Sequence, residues 1–272
     1  MQEWEKTQEE IKSKLDDMVW SFSRVNSASK CRYAWYKQYI EEERGLPNAY
    51  AQFGSVCHET LEKYLKGELD MFTVSQYYQD HYNDYVTCDF PTNKYVNLAD
   101  KTYMQGKEYF DNINFDFNKY EILGVEQELN FYVGKYPFHG FADAIYRDKE
   151  SGEIILRDHK TSSFKYLKNG DVSSKDRQHF QEFRYQEYLY CIPLIEKYGK
   201  VDWLSWNMIR DQHEIKIPFS HQEFEEAKLW CIETIEELEK EVLWLPDTTS
   251  TYWCNVICAN RNTCTYRQQG GI

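Results

Sequence analysis

The chain has 272 residues, of which 42% are hydrophobic and 17% aromatic, enough for one domain with a large core. It has no apolar run of 18 residues, and the charged start MQEWEKTQEEIKSKLDD lacks the apolar segment of a secretory signal, so we expect a cytoplasmic protein without a membrane span. The net charge of −13 argues against a generally basic nucleic-acid-binding surface but allows a local one. In a cytoplasmic protein the eight cysteines are expected to be thiols or metal ligands rather than disulfides.

Hydrophobic periodicity predicts the elements in a clear order. Helices are predicted around Ile11–Met18 and over residues 29–43, 53–67, about 71–87 and about 98–112. Strands are predicted over 121–133, 137–147 and 153–159, then a helix over 179–198, strands over 202–209 and 212–218, and a helix over 221–241. The tail from Leu243 is predicted to be irregular. This order favours an α/β core with a mixed sheet and a helical N-terminal lobe.

A predicted hairpin brings three charged residues together. Lys149-Glu150-Ser151-Gly152 suits a four-residue turn, which would place Asp143 opposite Asp158 with Cβ atoms roughly 5 Å apart. Lys160 follows Asp158 by two residues and therefore points to the same face. Two carboxylates this close favour a divalent cation such as Mg²⁺ or Mn²⁺ between them, and an adjacent lysine suits phosphodiester hydrolysis. The alternative is an Asp–Lys ladder on an exposed sheet face.

Other polar residues have both a functional and a structural interpretation. His58, near the start of a predicted helix, is an acceptable additional ligand at a carboxylate site, or a packed or surface histidine. Gln186 and Tyr190 lie four residues apart on a predicted helix and can support a site or contact a phosphate, but Gln181 and Tyr185 have the same spacing. Either pair also suits an ordinary amphipathic helix.

The cysteines divide into two groups. Cys57, Cys88, Cys191 and Cys231 are scattered and are interpreted as structural thiols. Cys254, Cys258 and Cys264 cluster in the tail, which favours a metal or cluster site, but their spacing differs from the paired C-x₂-C of a zinc ribbon. A site of this kind needs a fourth ligand.

Taken in order, these motifs resemble the RecB-like, Cas4-type branch of the PD-(D/E)xK nuclease superfamily. The segment Ser21–Tyr36 is similar to that branch's opening segment, which brings the first cluster cysteine, here Cys31, although Arg32 stands where proline is usual. Gly54 and His58 match G-x-x-x-H, Gly140 and Asp143 match G-x-x-D, Asp158-His159-Lys160 matches D-x-K and is followed by Thr161, and Gln186 and Tyr190 match Q-x-x-x-Y. Three residues rather than the usual two separate Cys254 from Cys258. The matches span residues 21–264.

The resemblance implies a fold, a site and two cofactors. It implies a restriction-endonuclease-like α/β core, with Lys160, Asp143, Asp158 and His58 as catalytic residues. It implies that Mg²⁺ or Mn²⁺ is held by His58, Asp143, Asp158 and the backbone carbonyl of His159. Glu126, Gln186 and Tyr190 would support the site or contact DNA. Cys31, Cys254, Cys258 and Cys264 would hold a structural [4Fe–4S] cluster.

Within a single nuclease domain over residues 1–272, we expect a mainly helical lobe (1–118), a catalytic α/β core (119–220) and a C-terminal helix with the iron–sulfur tail (221–272). The basic loop 161–178, followed by an aromatic-rich helix, could guide single-stranded DNA or DNA ends, or could be a flexible surface loop. The expected function is a metal-dependent DNA exonuclease of phage or bacterial recombination, repair or processing, in a bacterial, archaeal or phage-infected host cell.

Three alternatives stay open. The first is a Cas4 nuclease of CRISPR adaptation, with a protein partner from that pathway rather than from recombination. The second is a non-catalytic DNA- or partner-binding subunit that keeps the fold and the cluster. The third is a zinc-stapled globular protein with an incidental hairpin. The sequence leaves open the cleavage polarity, the preference for single or double strands, and the oligomeric state.

Overall fold

The computed structural model describes residues 7–267, so the first six residues of the charged N-terminal segment and the last five of the predicted tail lie outside the described residues. The helices are α1 (Gln8–Asp16), α2 (Phe22–Lys30), α3 (Arg32–Tyr39), α4 (Ala49–Leu65), α5 (Val74–Tyr85), α6 (Leu98–Asp111), α7 (Arg177–Tyr198) and α8 (His221–Glu239). The strands are β1 (Tyr120–Val133), β2 (Tyr136–Asp148), β3 (Ile154–Lys160), β4 (Trp203–Met208) and β5 (His213–Pro218). A 3₁₀ turn covers Ile209–Asp211 and a π-helical turn covers Trp253–Ile257.

The five strands form one sheet in the order β1-β2-β3-β4-β5. β3 pairs antiparallel with β2 and parallel with β4, and β4 pairs antiparallel with β5. The parallel pair needs a crossover, and α7 supplies it between β3 and β4. The predicted α/β class with a mixed sheet is confirmed.

The helix predicted over residues 29–43 is interrupted. Cys31 adopts an extended conformation, with φ −164° and ψ 110°, and this ends α2 and starts α3. Its Sγ accepts a hydrogen bond from the backbone N–H of Ala34 at 3.4 Å, so the thiol caps α3 as a serine oxygen would. Periodicity alone missed the break because apolar residues continue on both sides of it.

The described residues cluster into two compact units. The larger unit takes in Pro47–Leu129 and Phe141–Phe224, and therefore holds β3, β4, β5, α4 to α7 and most of β1. The smaller unit takes in the described residues up to Leu46, the segment Asn130–Gly140 and the described residues from Glu225 onward. The three-part division expected from the sequence stays a prediction.

The larger unit has an aromatic-rich core between the sheet and helices α4, α5 and α6. Phe53, Tyr78, Phe110 and Tyr146 belong to it and are at most 1% exposed. The backbone of α6 approaches closely at Gly106, where an added Cβ would lie 2.3 Å from the Tyr78 hydroxyl. This packing fixes α4, which carries His58 near its middle, against the sheet.

The smaller unit packs around three tryptophans. Trp35 stacks between Trp20 and Trp244, with ring centroids 6.1 Å and 5.5 Å away. The tail is tied down at Leu46, whose N–H donates to the Ala259 carbonyl at 2.9 Å, and a Cβ at Gly45 would lie 2.5 Å from the Cβ of Ala259. Among the described residues, no helix combines the length and apolar character needed to span a membrane.

Candidate active site

The β2–β3 hairpin has the predicted register. Ala144 pairs with Arg157 and Arg147 with Ile154, so Asp143 and Asp158 occupy the next opposed positions. The predicted glycine lies in the turn, and Gly152 has φ +72°, a left-handed value that favours glycine. Asp143 is 9% exposed and Asp158 4%, so the alternative of an exposed ladder is wrong. Both carboxylates lie in a buried face of the sheet.

β1 adds a second acidic residue beside Asp143. Glu126 has φ +48°, which is rare for a residue with a side chain and marks a local distortion of the strand. Its Oε1 lies 3.6 Å from Nδ1 of His58, and Oδ2 of Asp143 lies 3.6 Å from the same nitrogen. One ligand atom from each of His58, Glu126 and Asp143 falls within 4.8 Å of the others, which is a spacing that one metal ion can bridge.

Backbone groups of His159 hold this set in place. Nε2 of His58 donates to the His159 carbonyl at 2.8 Å, and the His159 N–H donates to Oδ2 of Asp143 at 2.6 Å. The carbonyl implied as a metal ligand is therefore already used by His58, although it keeps a second lone pair. With Nε2 engaged, Nδ1 is the nitrogen of His58 that faces the carboxylates, as in many metal sites where the second ring nitrogen donates to a carbonyl.

The carboxylates of the site stabilise positive charge beside them. Burial opposes the imidazolium form of His58, but Asp143, Glu126 and Asp158 outweigh it and raise the pKa of His58 to about 9. Burial raises the pKa of Asp158 to about 6, with repulsion from Asp143 adding to it and Lys160 opposing it. Burial also raises the pKa of Asp143. The His58 imidazolium thus provides the positive charge that these carboxylates require.

Lys160 lies on the same face and has three neighbours. Its Nζ lies 2.8 Å from Oδ2 of Asp158 and donates to Oε1 of Gln186 at 2.8 Å. It also lies 4.6 Å from the ring centroid of Phe183, a cation–π contact. Burial opposes its charge, but Asp158 and Asp143 outweigh burial and raise the pKa of Lys160, so the amine stays protonated.

Of the two Gln–Tyr pairs, the second lies beside this lysine. Tyr190 hydrogen-bonds Gln186, and Asp158 adds to burial in raising the pKa of Tyr190. Gln181 instead accepts a hydrogen bond from Arg184 at 3.3 Å. The geometry therefore favours Gln186 and Tyr190 as the pair that can support the site, and their roles stay predictions.

Two residues near the site were not found from the sequence. Glu187 is 1% exposed, and burial, with Asp158 and Asp143 adding to it, raises the pKa of its carboxyl well above the usual value. Phe183 supplies the aromatic ring that makes the cation–π contact with the Lys160 amine. Both lie on the helical stripe Phe183–Glu187–Tyr190–Leu194, and a glutamate on an otherwise apolar or aromatic stripe was the available signal.

The residues present fit a divalent cation. Two carboxylates and one imidazole converge within bridging distance, and oxygen ligands with one histidine suit Mg²⁺ or Mn²⁺. Asp158 lies outside that three-residue set and pairs with Lys160. Asp158 is the third carboxylate of the site, and repulsion from Asp143, which helps to raise the pKa of Asp158, is consistent with its lying close to the set.

The four cysteines of the implied cluster all lie in the smaller unit. Burial raises the pKa of the Cys258 thiol to about 11, with Cys31, Cys264 and Cys254 adding to it. Cys31 also accepts from the Asp247 N–H at 3.4 Å, and the Cys254 thiol donates to the Asp247 carbonyl at 3.6 Å. All eight cysteines are free thiols.

The basic loop 161–178 is anchored by Asp211. The carboxylate of Asp211 accepts hydrogen bonds from the Ser163 hydroxyl, from the Phe164 N–H at 2.9 Å and from the Tyr166 hydroxyl at 2.8 Å. Phe164 itself is 6% exposed. The first residues of the loop are therefore held in place. The basic side chains of the loop and of the start of α7 are exposed: Lys165, Lys168, Lys175 and Arg177.

A mixed sheet with an opposed pair of carboxylates, a lysine two residues beyond, and a histidine from a preceding helix is the arrangement that the sequence motifs predicted. A family model of the PD-(D/E)XK nuclease superfamily matches residues 19–268, and the chain belongs to this superfamily. The predicted superfamily is thereby confirmed, and the RecB-like, Cas4-type branch stays a prediction.

One solved structure is similar over nearly its whole length. It is described as "Putative exonuclease" from Eubacterium rectale, shares 15% identity, and gives a TM-score of 0.53 over 100% of this chain and 95% of that one. At this identity the likeness shows the fold. A search of curated proteins found no significant match.

Proposed function

We propose that this protein is a metal-dependent DNA exonuclease that hydrolyses phosphodiester bonds. The observation that carries the proposal is the buried face shared by His58, Glu126 and Asp143 with the Asp158–Lys160 ion pair. Membership of a nuclease superfamily and the likeness to a structure described as an exonuclease support it.

Each side chain has a defined task in the proposed reaction. A cation held by His58, Glu126, Asp143 and Asp158 would supply Lewis-acid stabilisation of the phosphate charge and acidify water, as divalent cations do at such sites. Lys160, kept protonated by its neighbours, stabilises negative charge that develops in the transition state. Gln186 holds the Lys160 amine in position, and Tyr190 holds Gln186.

The DNA is proposed to approach along the loop 161–178 and the start of α7. Exposed lysines there can neutralise phosphates, and nearby aromatic side chains can stack on bases without sequence preference. The anchoring of the loop by Asp211 supports a preformed path. We propose a cytoplasmic role in recombination, repair or processing of phage or bacterial DNA. A Cas4 role in CRISPR adaptation is the alternative pathway for the same chemistry.

The deciding experiment compares end-labelled linear DNA with circular DNA in Mn²⁺, Mg²⁺ or EDTA. We expect metal-dependent loss of the linear substrate, and at least a roughly hundredfold loss of rate in Lys160→Ala. Lys12→Ala is the matched control, since it removes an exposed lysine of α1 that belongs neither to the buried site nor to the proposed DNA path. If folded wild-type protein, purified anaerobically, cleaves neither substrate in any metal, the catalytic proposal fails and the non-catalytic binding subunit becomes the better interpretation.

We also propose that Cys31, Cys254, Cys258 and Cys264 hold a structural [4Fe–4S] cluster. Support comes from the raised pKa values of the Cys254 and Cys258 thiols, to which burial and the other cysteines of the set contribute, and from two N–H groups directed at the Cys31 sulfur. Four thiolates are the usual ligand set of such a cluster, and binding it would tie Cys31 to the irregular tail. This proposal is independent of the nuclease proposal.

The test is the iron and sulfide content of anaerobically purified protein, with its visible absorbance. We expect a brown protein, and loss of iron in Cys258→Ser but not in Cys88→Ser, which changes a thiol of the other unit. Colourless protein that contains zinc would contradict the cluster and favour a zinc staple.

A further inference from the structure

Three aromatic side chains pack against one another beside the candidate active site. They are Phe164 of the basic loop and His179 and Phe183 of α7, and together they are called the ring cluster below. The ring centroid of His179 lies 5.3 Å from that of Phe164 and 4.8 Å from that of Phe183. The two phenylalanine centroids lie 5.4 Å apart, so each ring contacts the other two. All three residues belong to the larger unit.

The ring cluster is buried at its base and open to solvent at His179. Phe164 is 6% exposed and Phe183 is 8% exposed, whereas His179 is an exposed residue. The His179 ring meets Phe164 at 86° and Phe183 at 61°, in the edge-to-face manner that aromatic rings prefer. His179 therefore rests on a fixed support, and such a side chain loses little conformational freedom when a ligand packs on it.

The ring cluster also contacts the lysine of the site. The Phe183 ring centroid lies 4.6 Å from Nζ of Lys160, so a single aromatic ring separates His179 from the amine. His179 lies no further from that amine than these two centroid distances added together. Successive nucleotides of one strand are about 3.4 Å apart along the helix axis, so a nucleotide one to about three positions from a phosphate at Lys160 lies within reach of His179.

Charged neighbours of the ring cluster suit the phosphates of the same strand. Lys165 follows Phe164 directly, Arg177 precedes His179 by two residues, and both cations are exposed. The acidic neighbour Asp176 is engaged within the loop, where its carboxylate accepts from the Lys165 N–H at 2.9 Å and from the Ser173 hydroxyl at 3.1 Å. The cations can neutralise phosphates, which leaves the base as the part of the nucleotide that matches an aromatic ring.

We propose that His179 stacks on the unpaired base of a nucleotide one to about three positions from the scissile phosphate, and that the preferred substrate is therefore a single-stranded or frayed DNA end. The inference rests on the proposed nuclease function, because the scissile phosphate defines the position of that nucleotide. Bases inside a duplex are paired and covered by their neighbours, so a base must leave the duplex before it can stack on a side chain. Stacking accepts every base, so no sequence preference is expected.

The experiment measures binding of labelled single strands of about eight nucleotides to the full-length protein in EDTA, by fluorescence anisotropy. In a series of strands, one base at a time is removed to leave an abasic nucleotide. We expect one position at which this removal weakens binding by wild-type protein about fivefold to a hundredfold, and by His179→Ala protein hardly at all. Such non-additivity reports a direct contact, whereas a purely structural role of His179 would weaken binding of every strand equally.

Two further variants test the chemistry and the place of the contact. His179→Phe keeps a flat ring without N–H groups, so it should retain the sensitive position. His221→Ala is the matched control, because it removes another exposed histidine in the first turn of a helix, whose ring packs edge-on against Phe219 at 5.1 Å. It should leave every affinity unchanged. A His179→Phe protein that behaves like His179→Ala would indicate a hydrogen bond and overturn the stacking proposal.

The proposal is also overturned if no position is sensitive in wild type, if the same position stays sensitive in His179→Ala, or if a blunt duplex of the same sequence binds more tightly than the single strand. The cleavage assay with linear and circular DNA separates this failure from failure of the nuclease proposal. Cleavage without a sensitive position would remove only the role of His179. A sensitive position that depends on His179, in protein that cleaves no DNA, would support the contact and contradict the nuclease.

Discussion

Glu126 has a strained backbone conformation, and this conformation directs its carboxylate into the candidate site. A left-handed conformation in the middle of a strand costs free energy, of order 1–3 kcal/mol, and persists only where the surrounding structure enforces it. Here it brings the carboxylate to within 3.6 Å of His58. Such a residue is expected to serve the site rather than the stability of the strand.

Glu126→Gln should therefore weaken Mn²⁺ binding by about tenfold to a hundredfold, because it removes one negative charge and keeps the size of the side chain. The measurement is calorimetric titration of metal-free protein with Mn²⁺. Glu128→Gln is the control, as it changes an exposed glutamate two residues along the same strand. An unchanged affinity in Glu126→Gln would remove Glu126 from the metal site.

The raised pKa of His58 predicts a pH dependence of metal binding. Below about pH 9 the imidazolium form dominates, and a cation must displace its proton before the nitrogen can coordinate. Above about pH 6, the pKa of Asp158, this carboxyl loses its proton, and from there to about pH 9 the Mn²⁺ affinity should rise about tenfold per pH unit and then level off.

Mn²⁺ titrations across that range provide the measurement, with His58→Gln as the comparison because glutamine does not titrate. We expect the variant to bind more weakly and to show a much flatter dependence. A slope that persists unchanged in His58→Gln would assign the proton to another group, with the buried carboxyl of Glu187 as the nearest candidate.

At the scale of elements, the packing of α6 explains why a helix interior contains glycine. Glycine normally weakens a helix by about 1 kcal/mol relative to alanine, so Gly→Ala in a helix usually stabilises. At Gly106 the added Cβ would lie 2.3 Å from the Tyr78 hydroxyl and 2.9 Å from the Phe53 ring. The close packing of α6 against α4 and α5 therefore requires a residue without a side chain at Gly106.

Gly106→Ala should lower the free energy of unfolding by about 1–3 kcal/mol, because the core must shift to admit the methyl group. Urea denaturation measures it. Gly54→Ala in α4 is the matched control, since its Cβ would meet only the Thr161 hydroxyl at an ordinary 3.4 Å, and it should be neutral or slightly stabilising. A higher free energy of unfolding in the Gly106→Ala variant would show that the space around Gly106 admits a methyl group and that α6 does not pack tightly there.

For the whole molecule, the distribution of charge decides how DNA can bind. The chain carries a net charge of −13, and its exposed helix α8 is rich in glutamate, so DNA is repelled by most of the surface. The exposed lysines of loop 161–178 form a local exception. Binding is expected to depend on a few phosphate contacts at this loop.

DNA affinity should therefore fall steeply with salt, with a slope in log–log form of about −0.7 for each phosphate contacted on a single strand. Fluorescence anisotropy with labelled single-stranded DNA across a salt series measures the slope. Replacing both Lys168 and Lys175 by alanine should remove two phosphate contacts and make the slope shallower by about 1.4. Replacing Lys12, an exposed lysine of α1, by alanine should leave the slope unchanged. A flat salt dependence in wild type would contradict the proposed path.

The sequence by itself determined the local geometry of the hairpin and the order of the elements, except that helix α2 was not predicted. Alternation fixes which face each strand residue occupies, and the Gly152 turn fixes the register, so the residue pattern alone was enough to place Asp143, Asp158 and Lys160 together. The ordered motifs were sufficient to identify the superfamily. These features depend on short-range rules, in which neighbours in the chain are also neighbours in space.

Only the tertiary structure decided the features that combine distant segments. Asp158 pairs with Lys160, whereas His58, Glu126 and Asp143 form the convergent set, because α4 and the distorted β1 meet the hairpin there. The choice of Gln186 over Gln181 depends on how α7 is rotated against β3. Burial of Glu187 likewise arises from packing between elements far apart in the chain, which periodicity and spacing do not encode.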